Sequence, residues 1–204
     1  MKDTFKYGQT EINYLSERDE ILGSAIERIG PLEREVIPDF FEALINSIVS
    51  QQISGKAADT VWKRLVELLG EITASSIVET AEEDIQKCGM SHRKASYIKG
   101  AAAAVLNGQL DIERLRTLPD EAVIKELSAL RGIGVWTAEM LLIFSLQRPD
   151  VISWLDLGIR RGMKTLYGYE ELTREQFLYH SETYSPCGTV ASLYLWAISS
   201  PEEG

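Results

Sequence analysis

The chain has 204 residues, 45% hydrophobic and 25% charged, enough for a sizeable core in one domain or two small ones. No run approaches the about 18 unbroken apolar residues of a membrane span, and "MKDTFKYGQTEIN" lacks a signal peptide's apolar region, so a cytoplasmic protein is expected; two cysteines, Cys88 and Cys187, are too few for a disulfide framework or a four-thiolate iron–sulfur cluster. The net charge of −10, from 31 acidic and 21 basic residues, taken globally argues against a nucleic-acid partner, yet its distribution is uneven.

Acids dominate "SERDEILGSAIERIGPLERE" and "ETAEEDIQ", whereas "KCGMSHRKASYIKG" and "RRGMK" are basic and free of carboxylates. The pattern is helical nearly throughout. In "PDFFEALINSIVSQQIS" the residues Phe41, Leu44, Ile45 and Ile48 form a buried stripe, and Pro38 and Asp39 suit a helix start. Ser54 caps "GKAADTVWKRLVELLG", which Gly70 closes, and Ser91 caps "SHRKASYIKGAAAAVLNG", which ends near Asn107 and Gly108. Pro119 opens "PDEAVIKELSAL", and further helices follow at "WTAEMLLIFSL", "LGIRRGMKTLYG", "TREQFLYHSE" and "TVASLYLWAISS". No segment alternates as a half-buried strand does. The fold class is all-α, with about eight to ten helices of ordinary length. If they form two lobes, the stretch between Asn107 and Pro119 is where the chain is expected to cross.

One joint stands out. "ELSALRGIGVWTAEML" is a helix, a turn at Arg131–Gly134 and a second helix. Gly132 and Gly134 permit positive φ, Ile133 packs down between the helices, and the first N–H groups of the second helix form a natural phosphate site. A plain αα-hairpin would look the same. Downstream, in "RPDVISWLDLGIRRGMK", Asp156 stands just before a helix, where it is a cap, a chemical group, or both. Arg160, Arg161 and Lys164 project from that helix as a solvated face or as phosphate contacts.

Together "LRGIGVWTA", "WLDLGIRRG" and "SIVSQQISGKAA" resemble the helix-hairpin-helix DNA glycosylases, and within them the 3-methyladenine DNA glycosylase II branch. The resemblance runs from about Pro38 to Ala197. It implies one glycosylase domain over residues 1–204, with helical lobes near 38–107 and 108–204, N-terminal helices packed onto them and a DNA cleft between. It also implies a monomer acting on duplex DNA that carries alkylated bases, with no membrane.

Site by site, the resemblance makes Asp156 the catalytic carboxylate and the backbone of Gly132, Ile133 and Gly134 the phosphate clamp. Arg160, Arg161 and Lys94 are further phosphate contacts. A Na⁺ or K⁺ ion on the hairpin carbonyls of Gly132 and Gly134 is implied; no other cofactor is expected. Trp136 stands where bifunctional relatives carry a lyase lysine, so it forms a wall of the base pocket instead, and an indole face suits cationic alkylpurines. Trp196 matches a second pocket tryptophan, though its spacing also fits a core aromatic. Gln52 and Ile53 match the segment that fills the gap left by a flipped nucleotide. Cys187 and Gly188 depart from the family, which often has an aromatic and an arginine there.

The reaction so implied is hydrolysis of the N-glycosidic bond of purines such as 3-methyladenine and 7-methylguanine. Two rival readings stay open: a glycosylase for uncharged damaged purines, and a non-catalytic DNA-structure-binding protein that uses the hairpin alone. An all-α protein-interaction module is favoured only by the acidic charge.

Overall fold

The computed structural model describes residues 3–199. Among them lie the helices α1 (Gln9–Arg18), α2 (Glu20–Ile29), α3 (Phe40–Ser50), α4 (Gly55–Leu69), α5 (Ala74–Glu79), α6 (Glu82–Lys87), α7 (His92–Leu106), α8 (Ile112–Thr117), α9 (Asp120–Ser128), α10 (Val135–Phe144), α11 (Leu157–Tyr167), α12 (Arg174–Tyr184) and α13 (Gly188–Ser199). α5, α6 and α8 have six residues each, too few to display a 3.6-residue period in sequence. The described residues contain no strand; Thr4 and Glu35 form an isolated antiparallel bridge. No described helix is long and apolar enough to cross a membrane.

Helix starts follow side-chain chemistry. Asp39, Ser54 and Ser91 accept the N–H groups of Glu42 (2.8 Å), Ala57 (3.4 Å) and Lys94 (3.3 Å). The chain folds as two compact units, one spanning Ile37–Leu141 and the other joining residues up to Val36 with those from Leu142 on. The stretch from Asn107 to Pro119 therefore carries no crossing. The Leu110 N–H donates to the Ala104 carbonyl at 2.9 Å, and Leu110 and Leu115 are buried, which turns the chain back onto α7.

The core of the second unit gathers Leu15, Leu22 and Ile26 from the N-terminal helices with Ile159, Met163, Phe177, Leu193 and Leu195. α11 and α13 cross closely: a Cβ on Gly162 would lie 2.1 Å from the Leu195 carbonyl oxygen.

Beside this core sits a polar cluster. Asp19 caps α2 by accepting the N–H groups of Ile21 and Leu22, and its other oxygen accepts the Tyr167 hydroxyl at 2.5 Å. Tyr167 also pairs with the Tyr184 hydroxyl, and burial pushes both phenols up from their ordinary pKa. The His180 ring stacks on Tyr167 at 3.8 Å, with Nε2 paired to the Tyr169 hydroxyl at 3.0 Å. Its buried Nδ1 has no hydrogen-bond partner and lies 3.9 Å from the Asp19 carboxylate.

Burial lowers the His180 pKa, and Asp19 only partly opposes this. Above the unfolded value of about 6.5 the ring is neutral in both states; below it the unfolded chain takes a proton that the folded chain resists. Stability should therefore fall as pH drops below about 6.5, by at most about 1.4 kcal/mol per pH unit from this group. Thermal melts between pH 7 and 5 should show a shallower decline for His180→Phe than for wild type.

Candidate active site and the glycine hairpin

The chain is pinned before it reaches Asp156. Asp150 accepts the Gly188 N–H at 3.0 Å and the Ser185 hydroxyl at 2.5 Å. The Val151 N–H donates to Thr189 Oγ1 (2.9 Å), and the Ser192 hydroxyl to the Val151 carbonyl (3.0 Å). A Cβ on Gly188 would sit 2.7 Å from Asp150 Oδ1, so glycine there lets a carboxylate reach the start of α13. Cys187 is buried in the adjoining core.

Asp156 is itself buried and caps α11. Its Oδ1 receives two donors, the Ile159 N–H at 2.8 Å and the Trp196 indole Nε1–H at 2.9 Å. Trp196 is held by stacking on Phe144, with ring centroids 5.6 Å apart. This arrangement needs Gly158, because a Cβ there would lie 2.7 Å from Trp196 Cδ1 and 3.1 Å from Asp156 Oδ1. A cavity of about 480 Å³ opens on Asp156 and Trp196, with Arg34 and Arg161 also in its wall. The neighbours Leu155 and Leu157 are exposed. A buried carboxylate of fixed orientation is what stabilisation of nearby positive charge requires.

The two hairpin glycines serve different ends. Gly132 has φ 90°, and a Cβ on it would fall 2.2 Å from the Tyr97 ring. Gly134 has no positive φ, and a Cβ there would meet nothing within 4 Å, which leaves the backbone open to close approach. Ile133 is buried, as its spacing suggests, but its N–H donates to the Leu130 carbonyl at 3.2 Å, so it serves the turn rather than a phosphate. Gly132 O accepts from Gln51 Nε2 at 2.8 Å and Gly134 O from the Ala138 N–H at 3.0 Å, so each hairpin carbonyl already has one protein donor.

Trp136, in the first turn of α10, is 43% exposed, which excludes a core role for its ring. Gln52 is exposed with φ 58°, a left-handed conformation costing a non-glycine residue about 1–3 kcal/mol. Ile53 beside it is 40% exposed, so core packing does not explain it either.

The basic residues divide. Arg160, Arg161 and Lys164 line a groove along α11, where the Arg160 guanidinium also lies 4.9 Å from the Trp154 ring centroid. Lys94 departs from expectation. Its ammonium donates to the carbonyls of Val49 (2.7 Å) and Gln51, at the end of α3, and is thereby drawn away from a phosphate. Sequence reasoning missed Arg34, Gln51, Tyr97 and Gly158. Only Gly158, a glycine in the first turn of a helix, carries a local signal of its role.

The described residues thus combine an all-helical fold, a glycine hairpin in one unit and a capped, indole-bound carboxylate in the other. Residues 45–186 match the HhH-GPD superfamily of base excision DNA repair proteins, and the chain belongs to that superfamily. It is 38% identical over 164 residues to DNA-3-methyladenine glycosylase 1 of Schizosaccharomyces pombe, covering 78% of this chain and 72% of that protein. Among solved structures, a Bacillus halodurans DNA-3-methyladenine glycosidase superposes with a TM-score of 0.88 at 36% identity, over 98% of this chain and 93% of that one. A Schizosaccharomyces pombe 3-methyladenine DNA glycosylase in complex with abasic DNA gives 0.81 at 34% identity, over 92% and 95%.

The Gly158 geometry generates a direct test. Gly158→Ala should displace the Trp196 indole and break its bond to Asp156. A buried hydrogen bond to a charged group is worth about 1.5–3 kcal/mol, so a comparable loss of stability is expected in a chemical melt. Trp196 fluorescence, compared in a background lacking the other tryptophans, should shift in the same variant.

Proposed function

We propose that this protein is a monofunctional DNA glycosylase that hydrolyses the N-glycosidic bond of alkylated purines, such as 3-methyladenine and 7-methylguanine, in duplex DNA. The observation that carries this reading is the Asp156 carboxylate, buried, oriented by two donors and open to a cavity. Binding DNA through a hairpin alone would not require such a group. The names of the similar proteins support the same chemistry.

In this reading an alkylated base already carries positive charge and leaves as a neutral molecule, so little acid assistance is needed. Positive charge develops on the sugar instead, where Asp156 stabilises it and orients or deprotonates the attacking water. The Trp196 N–H keeps the carboxylate aimed, and the products are free base and an abasic site. This chemistry requires neither metal nor organic cofactor. The open backbone at Gly134 and the groove of Arg160, Arg161 and Lys164 contact phosphates. Trp136 stacks on the extruded base, and Gln52 with Ile53 supports the gap it leaves. The protein works as a monomer in the compartment that holds the DNA, the cytoplasm.

A second substrate class has one observation in its favour. Arg34 and Arg161 in the wall of the Asp156 cavity oppose a cationic base and suit an uncharged damaged purine. Incubation with methylated and with deaminated duplex DNA, followed by chromatography of released base, separates the two. Absence of release from both would overturn the enzymatic reading.

Asp156→Asn separates capping from catalysis. Asparagine caps about as well as aspartate and can accept both N–H groups through its amide oxygen, so melting should stay near wild type. Single-turnover base release should fall by roughly 10²–10³, the usual cost of losing one preorganised electrostatic group. Borohydride should trap no covalent adduct through position 136, because an indole cannot form a Schiff base; strand breaks should appear only after alkali or heat.

A further inference from the structure

The end of α3 carries more constraint than a helix terminus requires. The last carbonyls of a helix lack partners within it and carry partial negative charge. Here Lys94, from the first turn of α7, donates to both Val49 O and Gln51 O. Burial lowers the pKa of this ammonium, whose charge is directed at backbone carbonyls. From the same turn, Gln51 sends its side-chain amide to Gly132 O at 2.8 Å. Two side chains thus tie α3, α7 and the hairpin around a short turn. At its tip Gln52 keeps φ 58° although it is exposed, so burial of its side chain does not offset the strain. Strain of this kind persists only where the surroundings over-determine it.

We infer that Lys94 and Gln51 are positioning residues that clamp this turn, holding Gln52 and Ile53 rigid and outward to enter the base stack as a nucleotide is extruded. The inference rests on the glycosylase reading above. A wedge ordered before binding avoids the entropy cost of ordering it on the DNA. The clamp also links wedge and hairpin mechanically, because the Gly132 carbonyl belongs to the turn that approaches the phosphate backbone.

Two variants test it: Lys94→Met, and Gln51→Glu, which keeps the shape but sets an acceptor against the Gly132 carbonyl. Single-turnover base release is measured on a methylated purine in a fully paired duplex and on the same lesion in an unpaired bulge, where extrusion costs least. Both variants should lose about tenfold or more on the duplex, the scale of a hydrogen bond to a charged group, and much less on the bulge. Both variants should lose some global stability, and hydrogen exchange at Gln52–Ser54 should accelerate in both by more than that loss accounts for. Equal losses on the two substrates, or unaltered exchange, would overturn the clamp. If the wild-type protein releases base from neither substrate, the glycosylase reading fails, and the exchange measurement still decides whether the turn is clamped.

Discussion

The double hydrogen bond onto Asp156 Oδ1 organises the unit that contains it. A carboxylate removed from water is costly unless it is hydrogen-bonded, and here one donor is the start of α11 while the other is an indole near the end of α13. Helix capping and side-chain recognition therefore converge on one atom. Satisfying both brings α11 and α13 so close that several positions must be glycine. Gly158 makes room for Trp196 and Gly162 for the Leu195 carbonyl, one turn apart on the same face of α11; Gly188 does the same for Asp150. The scaffold requirement and the catalytic one proposed for Asp156 are thus met by the same contacts.

The other unit solves a different problem, presenting backbone and a few exposed side chains on a rigid base. Gly132 rests on Tyr97, Ile133 is buried, and Gln51 and Lys94 fasten the preceding turn. Against that support Trp136, Gln52 and Ile53 remain exposed. Exposed apolar and strained residues on an otherwise well-tied surface are the usual mark of a binding face. The net charge of −10 does not preclude a local cationic site: on the Asp156 unit Arg160, Arg161 and Lys164 line one groove, with Glu171 also in its wall.

Local features of the fold were legible in the sequence because their causes are local. Apolar periodicity and caps such as Asp39, Ser54, Ser91 and Asp156 act over a few residues, so the longer helices from α3 onward could be read directly, whereas the bounds of α1 and α2 could not. The six-residue helices span fewer than two turns, too few to display the period that would reveal them. Asp156 could be read as a cap and, through the family motif, as a candidate carboxylate. The motif also singled out Trp136 and Gln52, which only the structure shows to be exposed.

What the tertiary structure alone decided concerns where long or distant groups end. Asp156 and Trp196 lie 40 positions apart, and no spacing rule links an indole to a carboxylate over that distance. Lys94 advertises its charge in a basic stretch, but a flexible side chain can turn inward, and here backbone carbonyls receive it. The Gly132 carbonyl of the hairpin receives the Gln51 side chain from 81 positions away, which no local pattern announces. Arg34 belongs to an acidic stretch yet lines the Asp156 cavity, and its own carbonyl accepts the Phe5 N–H from the N-terminal segment. Residue type and short-range order determine which helices form and which chemistry is available; the three-dimensional packing determines which donors meet which acceptors, because that depends on contacts between residues far apart in the chain.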